Sequence, residues 1–230
     1  MPLMATVAKR LMSAAEFERA YMGKRAELWR GEVREYMPAG HRHGTIALNI
    51  GAGIHAHARQ SNLGVSFAAE TGFVVRTPAG ESVLAPDAAF IRRERIPPDL
   101  PEEGFYPVPP DLVVEVVSPS ESLAATQEKA REWLAGGATL VWLIDPQRRV
   151  VEVWRREGLT RTLGDGDTLS GEEVLPGFAF PVRELWGRRR NRPHPQQGTI
   201  SVVIALGSQT HSGDGLAGHT QSRHFAGGGA

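Results

Sequence analysis

The feature that most constrains the fold is the run PPDLVVEVVSPS, ending at Ser120. Val113, Val114, Val116 and Val117 are β-branched, and prolines bracket the run on both sides. Leu112 to Val117 therefore reads as a central strand of a sheet covered on both faces. Glu115 interrupts it. A carboxylate in such a strand is costly unless it is paired or coordinates a cation. Whether Glu115 is a strand-edge residue paired with an arginine or part of a site depends on the rest of the chain.

The flanking segments define an α/β class. Ser13 and Glu16 have capping-box spacing before a short helix, Ser13 to Met22. Ala26 to Tyr36 reads as a hairpin with Glu32 in its turn. His41 to Gln60 is a long helix, because Ile46, Ile50 and Ile54 fall four apart. Gly64 is the candidate C-terminal cap. Val65 to Ala69, Gly72 to Arg76 and Leu84 to Ile91 are expected strands, the last containing Pro86–Asp87. After a Pro-rich loop over 92–110 comes the Glu115 strand. Ser118 and Glu121 then have capping-box register for a helix to about Ala135, closed by Gly136–Gly137. Thr139 to Ile144 is a second buried strand. Strand, helix, strand is a crossover unit, so its two strands should be parallel. Hairpins over 150–163 should add antiparallel strands, giving a mixed sheet flanked by helices. Their exposed edges would suit a homodimer.

Charge and composition exclude other classes. The 230 residues are neutral overall, but 187–230 carry five Arg against one Asp, so residues 1–186 are net acidic. That is not the footprint of a protein coating nucleic acid non-specifically. Without cysteine, disulfides and thiolate zinc sites are excluded, and a reducing cytoplasm is the natural setting. The N-terminus lacks the apolar core of a signal peptide, and no apolar run is long enough to span a membrane. The division expected is a folded domain over 1–186 and a disordered Gly/Arg/His-containing tail over 187–230. Nine of the 44 tail residues are Gly, and only Thr199 to Leu206 could pair as a strand.

Three residues suggest chemistry: Asp87 at a strand start, Glu115 in mid-strand and Lys129 on the following helix. Two carboxylates on neighbouring strands make an oxygen-rich site suited to Mg²⁺, which keeps several waters. A lysine beside them can orient or help deprotonate an attacking water and offset charge on phosphate. That is chemistry for phosphodiester hydrolysis. Glu70 reads either as a third carboxylate or as a turn residue, and His43 as a contact to phosphate or to the metal's water shell, or as a polar helix start. Asp111 shares a strand face with Glu115, but four residues of strand is roughly 13 Å, too far for one metal. Trp133 and Trp142 read as core, and Asp145 as a turn former.

LAPDAAFI, PDLVVEVVSPSES and EKAREWLAGGATLVWLIDPQRRVVEVWR together resemble the Uma-type restriction endonucleases of the PD-(D/E)XK nuclease superfamily. The resemblance covers roughly residues 12–186. It implies a restriction-endonuclease-like fold and a metal-dependent DNA endonuclease using Mg²⁺, with Mn²⁺ able to substitute. It assigns Asp87 to the Pro-Asp motif and Glu115 to the acidic position of (D/E)XK, with the Val116 main-chain carbonyl as a further metal ligand. The motif lysine should be residue 117, which is Val117 here, and Lys129 takes its place. A nuclease fold serving only as a binding module is the alternative.

Overall fold

The computed structural model describes residues 10–119 and 121–187, which lie within one compact unit. Helix α1 (Ala14–Tyr21) starts at a complete capping box, in which Ser13 accepts from the Glu16 amide and Glu16 accepts from the Ser13 amide. Strands β1 (Ala26–Trp29) and β2 (Glu32–Glu35) pair as a hairpin. Its turn is Arg30–Gly31, both at positive φ as a two-residue twisted turn requires, so Glu32 opens the second strand instead of occupying the turn.

Helix α2 (His41–Gln60) buries Ile46, Ile50, Ile54 and Ala58. Its end differs from expectation: Ser61 is the cap and Asn62 takes the positive φ. Gly64 instead begins β3 (Gly64–Ala68), where a Cβ would lie 2.0 Å from the Ile91 carbonyl oxygen. The glycine is there for close approach of two strands.

Strands β4 (Phe73–Thr77) and β5 (Gly80–Leu84) form the next hairpin, and β6 is Ala88–Arg92. The expected single strand from Leu84 to Ile91 is therefore two. Strands β5 and β6 lie in different sheets, and Ala85–Pro86–Asp87 is the crossing between them. Proline has no N–H for a ladder, so the pairing breaks there. Strand β7 (Leu112–Val116) is buried throughout. Helix α3 (Leu123–Ala135) is capped by Ser122, which accepts from the Ala125 amide; the Ser118–Glu121 pair forms a turn ahead of it. Then follow β8 (Leu140–Asp145), β9 (Val150–Arg155), β10 (Gly158–Leu163), β11 (Thr168–Ser170) and β12 (Ala179–Pro181).

The main sheet runs β10-β9-β8-β7-β6-β3, and a smaller one runs β2-β1-β5-β4. Strands β7 and β8 are parallel across α3, as the crossover requires, and their neighbours are antiparallel. Side chains of the main sheet alternate between two cores. Leu112, Val114 and Val116 face α2 and the segment 169–185. Val113 and Leu143 face α3 and the smaller sheet. Glu115 follows the second parity and points toward α3. The fold is thus a mixed α/β core flanked by helices.

Asp111 is structural. It is fully buried, accepts from the Arg92 amide at 2.9 Å and pairs with the Arg92 and Arg95 guanidinium groups at 2.9 and 3.0 Å. Asp111→Ala should destabilise the fold by about 2–3 kcal/mol, because it orphans the Arg92 amide and takes the buried carboxylate from two guanidinium groups, of which Arg92 keeps Glu94 at 3.5 Å. Urea unfolding checks this. A loss below about 1 kcal/mol would mean that both arginines turn to water without cost. Asp145 accepts from the amides of Gln147 and Arg148, a turn as expected. Among the described residues no helix is long and apolar enough to cross a membrane. The tail over 188–230, with its expected strand, lies outside the described residues.

Candidate active site

The crossing from β5 to β6 opens the site. The Asp87 amide still donates to the Val114 carbonyl, but the Val116 amide donates to Asp87 Oδ2 at 2.7 Å, a side chain where a ladder carbonyl would be. The register Ala88↔Val114 places Asp87 opposite Glu115. As the chain peels away toward the smaller sheet, it leaves Glu115 and Lys129 beside a cleft of about 750 Å³. His43, Glu70, Asp87, Glu115, Val116 and Lys129 all line that cleft.

Glu115 is only 5% exposed. Its Oε1 accepts from Trp133 Nε1 at 2.7 Å and lies 3.1 Å from Lys129 Nζ; its Oε2 is 3.3 Å from the same nitrogen. Trp133 is core, as its position on α3 suggests, and it also orients the carboxylate. Burial pushes the Glu115 carboxyl up to about 8. The Lys129 ammonium opposes that rise, while Asp87 and Glu27 add to it. Burial works against the Lys129 charge too, but Glu115, Glu27 and Asp87 hold its ammonium above the ordinary lysine range.

His43, in the first turn of α2, brings Nε2 to 3.2 Å from Asp87 Oδ2. That bond holds the imidazole above its usual range against the effect of burial, and a bond to the Val116 backbone adds to it. Glu70 sits at the rim, exposed and 3.0 Å from Arg25 Nη1.

Glu27 on β1 is a site residue that sequence reasoning misses. Its Oε1 lies 2.9 Å from Lys129 Nζ and accepts from the Ala85 amide at 2.7 Å. Lys129 also donates to the Ala85 carbonyl at 3.2 Å. Nothing local marks Glu27, which reads as an ordinary hairpin carboxylate; only the pairing of β1 with β5 brings it to the site.

Among the described residues no three His, Asp or Glu side chains are gathered as a ready-made metal cage. Two carboxylates, Asp87 and Glu115, with the Val116 carbonyl are nevertheless an all-oxygen donor set. Such a set suits a hard divalent cation that keeps most of its water.

A family model described as "Putative restriction endonuclease" (Uma2) matches residues 14–183. The fold is shared with a protein from Anabaena variabilis ATCC 29413, described as "a putative nuclease belonging to DUF820". That structure is 21% identical with a TM-score of 0.65, and the match covers 76% of this chain and 97% of that one. No curated protein matches the chain. With most of its length matched by the family model, the chain belongs to the Uma2 family.

Proposed function

We propose that this protein is a metal-dependent DNA endonuclease that hydrolyses phosphodiester bonds. The observation that carries the reading is the meeting of Asp87, Glu115 and Lys129 at the crossing between the two sheets, beside an open cleft. Asp87, Glu115 and the Val116 carbonyl would hold Mg²⁺, or Mn²⁺ in its place. When bound, the ion would supply Lewis acidity and a more acidic water. Glu115 and Asp87 accept hydrogen bonds already, so their orientations are fixed before substrate arrives. Lys129 keeps its proton and presents positive charge where a phosphate would enter, offsetting the negative charge that builds there. His43, charged when protonated, stands on the other side of Asp87 and contributes a second donor. Glu70 belongs to the rim, where its pairing with Arg25 makes it a substrate-edge residue before a ligand.

DNA is the proposed substrate because the family description names restriction endonucleases. The test is nicking of supercoiled plasmid with Mg²⁺ or Mn²⁺, wild type beside Asp87→Ala, with an EDTA control. Cation-dependent nicking by the wild type alone is expected. Cleavage that survives in the variant or in EDTA overturns the metal role of Asp87. A folded wild type that binds DNA without cutting any form of it, supercoiled, linear or single-stranded, would favour a binding module.

A further inference from the structure

Moving the lysine from position 117 to α3 raises a positioning problem. A lysine on the Glu115 strand would be placed by the strand itself. A lysine on a helix depends on how that helix docks, and its four-carbon stem has many rotamers. Some part of the fold must restrict both.

The β1–β2 hairpin meets α3 through Glu27 and Arg30. Glu27 reaches Lys129 Nζ at 2.9 Å, and three residues further along each element Arg30 binds Glu132 through Nε at 2.9 Å and Nη2 at 2.7 Å. Lys129 and Glu132 are neighbours on one helix face. Arg30 also reaches Glu128 Oε1, one turn earlier on α3, through Nη1 at 3.4 Å, so its guanidinium spans two turns of the helix while Glu27 takes the lysine between them. Glu132 is almost fully buried and is held further by Ser82 Oγ at 3.1 Å, while the Arg30 amide donates to Ser82 Oγ at 2.9 Å. Glu27 is itself anchored, since its Oε1 accepts from the Ala85 amide at the strand crossing. The Lys129 ammonium is thereby held among the Glu27 carboxylate, the Glu115 carboxylate and the Ala85 carbonyl.

We infer that Glu27 is the positioning residue for Lys129: it fixes the ammonium beside Glu115, and the Arg30–Glu132 pair sets the docking of α3 that makes this possible. The inference rests on the nuclease reading for its kinetic consequence alone; the contact itself is testable without cleavage.

The first readout is nitrogen-15 NMR of lysine side chains in the full chain, with the Lys129 ammonium signal assigned by its loss in Lys129→Gln. An ammonium fixed among three acceptors, on a side chain only 18% exposed, gives a slowly exchanging signal in the wild type. Glu27→Gln keeps an acceptor for the Ala85 amide, so the fold should survive. It should nevertheless broaden or abolish the Lys129 signal, because the charge that holds the ammonium is gone. An unchanged signal in Glu27→Gln, or no such signal in the wild type, overturns the inference. The second readout is kinetic. Glu27→Gln should lower kcat by about 10–100-fold with KM for DNA unchanged, the scale of a misplaced catalytic group. The double variant Glu27→Gln/Lys129→Gln should be no slower than Lys129→Gln. Losses that multiply would mean that Glu27 acts independently of the lysine, and the inference falls. A wild type that cuts no DNA defeats the nuclease reading, and the NMR result alone then decides the role of Glu27.

Discussion

Glu115→Gln should reduce divalent-cation-dependent nicking on the order of 10³-fold or more while leaving the protein at least as stable as wild type in EDTA. The activity follows from the proposed ligand role, since an amide oxygen carries no charge to hold the cation. The stability follows from burial. The substituted amide would still accept from Trp133 Nε1, and Lys129 would still have Glu27 at 2.9 Å. What disappears is a carboxyl that burial pushes up to about 8 from an ordinary 4.5. Between those two values the folded protein holds a proton that the unfolded chain has released, so stability falls as pH rises through that window. The melting temperature of the wild type, measured in EDTA, should therefore drop relative to Glu115→Gln between about pH 5 and about pH 8. Magnesium reverses the order. At a concentration about 100 times its Kd, one site adds about 2.7 kcal/mol, which for a body of this size is about 5–10 °C. The wild type should gain that rise and Glu115→Gln should not. An equal rise in both would remove Glu115 from the metal site.

Such a residue is visible in sequence because it violates the pattern around it. Glu115 stands out among four β-branched neighbours, and the hydrophobic run fixes both its strand and its depth. The α2 stripe and the Ser13 capping box are legible for the same reason: periodicity and short-range hydrogen bonding are local. Misreadings arise where two local signals compete or where the deciding contact is distant. Leu84 to Ile91 is nearly continuous in apolar character, so the change of sheet within it is signalled only by Pro86. Ser118 and Ser122 both precede α3, and the chain uses the second as its cap. Gly64 has the sequence position of a helix cap, yet it is required by the Ile91 carbonyl packed against it. Glu27 gives no local sign because its role exists only after the two sheets assemble. The site's strand residues are therefore legible, and the hairpin that braces its lysine is not.

Lys129→Met should slow cleavage by about 10²–10⁴-fold without weakening Mg²⁺ binding, and the lysine should be partly replaceable from the strand. In this structure the ammonium lies within 3.3 Å of both Glu115 oxygens, competing with any cation for the same carboxylate. Removing it leaves Glu27 and Glu115 with less positive charge between them but also lets the Glu115 carboxyl rise further, so Mg²⁺, titrated at a pH above the Glu115 titration, should bind the variant at least as tightly as wild type. This separates the two residues: Glu115→Gln loses binding and cleavage together, and Lys129→Met loses cleavage alone. Val117 lies two residues beyond Glu115, shares its face and packs at the border of the α3-side core. A lysine there would approach the same carboxylate along the strand, from the position where the (D/E)XK pattern that the sequence resembles has its lysine. Val117→Lys/Lys129→Met should therefore recover at least about tenfold of the activity lost in Lys129→Met, without full restoration, since Glu27 is placed to hold a lysine coming from α3. The recovery should be insensitive to Glu27→Gln, unlike the wild type. If the relocated lysine recovers nothing in a protein that melts normally and binds Mg²⁺, then the helix is required for more than delivery of an ammonium. The direction from which Lys129 approaches the phosphate would then matter as much as its charge.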